Sequence, residues 1–117
     1  MSEKIYKLNL KDRAALFEIL PREGNIVTLR IIRDLRSKLS FSEAEIAEYE
    51  ITLTEIGNTG RFRTNWNAKG SKATKTVKIS ANAESVIVER LKELNNRAIL
   101  PLELIDLYER FVEQKSS

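Results

Sequence analysis

The apolar residues change period twice along this chain, and that change sets its fold class. Before residue 50 they recur every three to four positions: Leu10, Ala14, Phe17 and Leu20, then Leu29, Ile32, Leu35 and Leu39. That spacing lays an apolar stripe along a helix. From Ile51 the period drops to two. Ile51 and Leu53 alternate with Thr52 and Thr54, and Phe62, Thr64 and Trp66 alternate with Arg61, Arg63 and Asn65. An Asn-Thr-Gly turn at 58–60 joins these two runs, which together read as a β-hairpin. Lys75 to Ile79 forms a third strand, after which the helical period returns with Val86, Ile87, Leu91 and Leu94. The expectation is an α+β fold of about five helices with a small two- or three-stranded antiparallel sheet in the middle of the chain.

The helix boundaries are marked by capping chemistry. Asn9 caps a first helix, which Pro21 ends. A second helix covers Ile26 to about Leu39. Ser42 with Glu45 three residues on is a capping box for a short third helix running through Ala47. Ser80 or Asn82 caps a fourth. Pro101 opens a fifth, with Leu102, Ile105, Tyr108 and Val112 on one side and a frayed tail at Gln114–Ser117. No internal repeat and no domain boundary stands out, so residues 1–117 are expected to form one domain.

Composition narrows the chemistry. The chain has no His and no Cys, which removes the common zinc sites, thiol nucleophiles, imidazole acid–base catalysis and disulfides. Gly24, Gly57, Gly60 and Gly70 are isolated and build no phosphate loop. Acidic pairs such as Glu43/Glu45 and Glu103/Asp106 lie on amphipathic helices, where a solvated face is the simpler account. The expectation is a protein that is not an enzyme and holds no cofactor or metal. No apolar run approaches the ~20 residues that span a bilayer. The N-terminal residues lack a secretory core, and the expected location is the cytoplasm.

Charge is distributed unevenly. Between residues 58 and 79 stand Arg61, Arg63, Lys69, Lys72, Lys75 and Lys78 with no acid, whereas the segments on either side are slightly acidic. An uncompensated cluster of this kind attracts anions such as nucleic acid, a nucleotide or an acidic protein surface. Its plain alternative is solubilising charge that also discourages edge-to-edge strand pairing. Arg30, Arg33 and Arg36 form a second strip along the second helix. Trp66 is a stacking platform or, more simply, a packing residue of the hairpin.

The run from Leu16 to Asn25 (LFEILPREGN), then Thr28 to Ile32, then Leu39 to Glu43, resembles a group of short phage and prophage proteins of unknown function. Trp66–Asn67 and Leu107 to Val112 recur near the middle and end of that group. The resemblance covers most of the chain and implies a viral origin, but its motifs are structural and it carries over no functional residue. The basic stretch from Lys69 to Lys78 departs from the group's pattern, so an anion-binding role would be peculiar to this chain.

Three functions are therefore expected, in this order. The first is a phage-type accessory protein that binds and modulates a host or viral protein partner, for instance in defence. The second is a nucleic-acid binder, since helices followed by a basic hairpin follow the order of a winged-helix domain. The third is a protein that sequesters an anionic nucleotide through the basic loop.

Overall fold

The computed structural model describes residues 3–58 and 62–114. Nine regular elements follow one another: β1 (Glu3–Asn9), α1 (Leu10–Ile19), α2 (Ile26–Leu39), α3 (Glu43–Tyr49), β2 (Thr52–Glu55), β3 (Phe62–Asn65), β4 (Thr74–Ser80), α4 (Ala81–Asn96) and α5 (Ile105–Phe111). The α+β class holds, with five α-helices. Most boundaries sit where the capping residues place them. Asn9, Asn25, Ser42 and Ser80 each accept a hydrogen bond from a backbone N–H in the first turn of the helix that follows. Asp12 and Glu45 return the bond and complete two capping boxes.

The strands are arranged differently from the sequence expectation of one central sheet. β2 and β3 form a separate hairpin, Thr52 opposite Asn65 and Glu55 opposite Phe62. β4 leaves that hairpin and pairs antiparallel with β1, a strand the periodicity does not signal. The cause is Ile5, which stands beside Tyr6 and breaks the alternation while remaining 64% exposed. Thr59 and Gly60 of the expected turn, Arg61 and residues 115–117 of the expected tail fall outside the described residues.

The β1–β4 ribbon exposes a repeat that the sequence hides. Lys4-Ile5-Tyr6-Lys7-Leu8-Asn9 and Lys75-Thr76-Val77-Lys78-Ile79-Ser80 share one pattern: Lys, variable, apolar, Lys, apolar, helix cap. Their burial patterns are identical. Each strand leads directly into a helix and then, after a break, another: β1–α1–α2 and β4–α4–α5. Tyr6 pairs with its counterpart Val77, so a local two-fold axis passes between them. The core repeats as well. Leu8, Leu16, Leu20, Ile32, Leu35 and Leu39 correspond in order to Ile79, Ile87, Leu91, Leu104, Leu107 and Phe111, all buried. With Tyr6 and Val77 these make up the main core cluster except for Ala83 and Leu94. Residues 40–73, with α3 and the hairpin, connect the two halves.

Two stripes shift phase relative to expectation. In α1 the buried side chains are Leu10, Arg13 and Leu16, while Ala14 and Phe17 are half-buried. At the C-terminus a 3₁₀ turn, Leu102–Leu104, precedes α5. Its tighter winding rotates the face that follows. Leu104, Leu107 and Phe111 are buried, whereas Leu102 is 79% exposed and Ile105 is also exposed.

Candidate functional site

The structure divides the basic run of residues 58–79. Arg61 lies outside the described residues. Arg63, on β3 opposite Thr54, is exposed, as is Lys72 in a 3₁₀ turn. Lys69 meets Glu48 over 3.0 Å with both side chains largely in solvent, an ion pair of little energetic weight. Lys75 and Lys78 are three positions apart on one strand and so emerge on opposite faces. Trp66 is half-buried, and its Nε1 donates to Ser71 Oγ at 3.2 Å. Arg30 and Arg33 are exposed on α2, and Arg36 is half-buried with its guanidinium 4.8 Å from the Phe17 ring centroid.

What β4 contributes instead is half of a ribbon face. Tyr6, Leu8, Val77 and Ile79 point into the core, and the opposite face carries Glu3, Ile5 and Lys7 from β1 with Thr74, Thr76 and Lys78 from β4, all exposed. At its centre Ile5 pairs with Lys78 and Lys7 with Thr76. Lys7 and Lys78 are therefore symmetry mates, each flanked across the ribbon by the other half's variable residue. Both open edges of the ribbon are covered. Arg110 Nη2 donates to the Lys7 carbonyl at 2.8 Å, and Lys38 Nζ donates to the Lys78 carbonyl at 3.1 Å. Each cation reaches from one half's last helix to the other half's strand, in keeping with the two-fold plan.

The underside of the ribbon is tightly packed. The Tyr6 and Phe111 rings stack 4.1 Å apart at 16°, and the Tyr6 hydroxyl donates to Glu84 in the first turn of α4. Burial, reinforced by that carboxylate, pushes the Tyr6 phenol up to about 12. Asp12, which accepts from Asn9 N–H at 3.1 Å and lies 3.6 Å from Arg110 Nη1, has its carboxyl raised by burial against the pull of both partners. Sequence reading missed Lys7 and Ile5 because β1 is not periodic. The signal that finds them is the Lys–x–apolar–Lys–apolar–cap pattern, visible once the two strands are aligned.

A cleft of about 610 Å³ opens on another side of the molecule, lined by α1, by the end of α2 and by Leu53 and Thr64 of the hairpin. Its aromatic residues are Phe17 and Phe41, and its cations include Arg22, Arg36 and Arg90. Among the described residues no group of His, Cys, Asp or Glu is arranged to hold a metal ion, and no helix is long and apolar enough to cross a membrane. No known protein family, curated protein or solved structure matches the chain.

Proposed function

We propose that this chain is a non-enzymatic accessory protein of the small phage type that binds double-stranded DNA by laying the β1–β4 ribbon into the major groove. One observation carries the reading: the ribbon's outer face is exposed, its pairing is symmetric about Tyr6 and Val77, and Lys7 and Lys78 stand as symmetry mates at its centre beside Ile5, Thr74 and Thr76, with the one acid, Glu3, at the end of the strand. The major groove is about 12 Å wide and admits a two-stranded ribbon as well as a helix. The residues on the face suit base edges. Lys7 and Lys78 donate to guanine O6 and N7, Thr76 offers a hydroxyl, and Ile5 packs on a thymine methyl group. The two-fold arrangement calls for a site that is itself nearly palindromic.

The reading ranks nucleic acid ahead of a protein partner, and takes the contact to be the ribbon rather than the hairpin. α3 holds the place of a winged-helix reader, yet it carries Glu43, Glu45 and Glu48 and no cation, a charge that phosphates repel. A protein partner is the second reading, supported by the exposed Ile99, Leu102 and Ile105 of the second half.

Selection from a random duplex pool, followed by anisotropy titrations at several salt concentrations, tests the proposal. The expected result is enrichment of an inverted repeat. Lys7→Ala and Lys78→Ala should each lower affinity for it by about tenfold, within the range of one base contact. Failure to bind any duplex at low salt would overturn the reading, as would both variants retaining wild-type affinity and salt slope.

A further inference from the structure

The cleft beside α1 holds a cation with no counter-ion among the described residues. Arg36 Nε is buried and meets no hydrogen-bond acceptor among the described residues. Burying a polar group in this way is costly, the more so when it belongs to a charged guanidinium. The other arginines of the lining are placed differently. Arg13 is bound to Glu45, and Arg90 donates to the Ile19 carbonyl at 2.7 Å and to Glu93 at 2.7 Å. Arg22 stands at the rim with no ion pair among the described residues. Among the described residues the lining includes a single carboxylate, Glu18, itself engaged. The remaining walls are mostly apolar, with Phe17, Phe41 and Leu53 among them, and add two hydroxyls, Ser40 and Thr64.

We infer that this cleft is a binding site for a small aromatic anion, whose carboxylate or phosphate meets Arg36 and Arg22 and whose flat body lies among Phe17, Phe41 and Leu53. The volume of about 610 Å³ falls within the roughly 300–1,000 Å³ of small-molecule sites, which pair apolar walls with a few convergent polar groups. A guanidinium already stacked on a phenyl ring is oriented, so it loses little freedom when an oxyanion arrives. The ligand supplies the acceptor that Nε lacks. An aromatic carboxylate and a nucleoside monophosphate share this chemistry. The site is separate from the ribbon and does not depend on DNA binding.

The test is a nitrogen-15 NMR titration of the arginine side-chain Nε–H resonances of the full chain with phenyl phosphate, benzoate, AMP and neutral benzyl alcohol. The Arg36 resonance should shift saturably with phenyl phosphate or benzoate and not with benzyl alcohol, while the exposed Arg30 stays still. A response to AMP as well would identify the phosphate source, and a response to benzoate alone the carboxylate source. Arg36→Met should weaken binding at least tenfold, and Arg22→Met, at an exposed rim position, by a smaller factor. Equal shifts at Arg30 and Arg36, equal binding of benzyl alcohol, or no saturation by any of the anions would overturn the inference.

Discussion

Arg13 of α1 holds Glu45 of α3 through a two-pronged contact, Nη1 to Oε2 at 2.6 Å and Nη2 to Oε1 at 3.0 Å. The arginine is only 1% exposed. It also donates to the Leu39 carbonyl at 3.3 Å and the Ser40 carbonyl at 2.6 Å, and lies over Phe41. One side chain thus ties the first helix to the junction at which the connector leaves the first half.

Removing the two partners should have unequal effects. Glu45→Ala leaves a buried guanidinium without its charge partner and breaks a capping box, at a cost of about 3 kcal/mol. Arg13→Met fills the same space with an apolar chain and leaves a carboxylate that water reaches, so its cost should be smaller. Urea denaturation of both variants checks the order.

The same pair makes stability pH-dependent. The Arg13 guanidinium holds the Glu45 carboxyl down to about 2, against an ordinary value of 4.5. A depressed carboxylate stabilises the fold above its unfolded value, and the contribution is lost as pH falls through the folded one. Stability should therefore decline between pH 4.5 and 2, by about 2 kcal/mol after discounting for the solvent that reaches Glu45. Glu45→Gln should flatten that part of the profile, measured by thermal melts in acid.

Lys38 and Arg110 cover the two open edges of the ribbon. Bare edges invite pairing with another chain. The double variant Lys38→Ala/Arg110→Ala should lose about 1–2 kcal/mol for the two carbonyl contacts. It should also self-associate at concentrations where the wild type does not, as sedimentation velocity would show. An unchanged sedimentation profile would leave these side chains a purely local role.

The two halves of the ribbon face differ at one central position, Ile5 against Thr76. The selected DNA site should accordingly be an imperfect inverted repeat, with a thymine methyl opposite Ile5 and a polar edge opposite Thr76. Ile5→Thr should make the two half-sites more alike and weaken the preference for that thymine by about 1 kcal/mol. Repeating the duplex selection with this variant would reveal the change.

Gly70 packs where a side chain has no room. A Cβ there would stand 2.9 Å from Trp66 Cβ and 3.1 Å from both Leu10 Cδ1 and Tyr49 Cβ. Gly70→Ala should destabilise by about 1–3 kcal/mol through overpacking, and a shift in Trp66 fluorescence should accompany the loss.

The helices were largely legible in the sequence because their caps are local. Asn9, Ser42 and Ser80 mark starts within one turn of their own backbone, and Pro21 marks a stop. The ribbon was not legible, since pairing between β1 and β4 is long-range and Ile5 disguises the strand's alternation. Arg13 was missed for a related reason: a charged residue on an amphipathic helix reads as surface until its partner is located. Of the candidate residues, Lys78 reaches the proposed reading face and Arg36 the cleft. Their companions Lys7 and Phe17 emerge only when distant segments are brought together.

Residues 40–73 place both strands of the ribbon in one molecule. A ribbon assembled from two separate chains comes apart on dilution, by mass action. Here the connector keeps one strand in the neighbourhood of the other at an effective concentration of millimolar order, whatever the amount of protein present. Occupancy of a DNA site should then be first order in protein, with no dimerisation threshold to cross. Each position of the ribbon is also encoded once, so a substitution in one strand is not copied into the other. Under the proposed DNA reading, the half-sites are free to drift apart in sequence without loss of the scaffold that would read them.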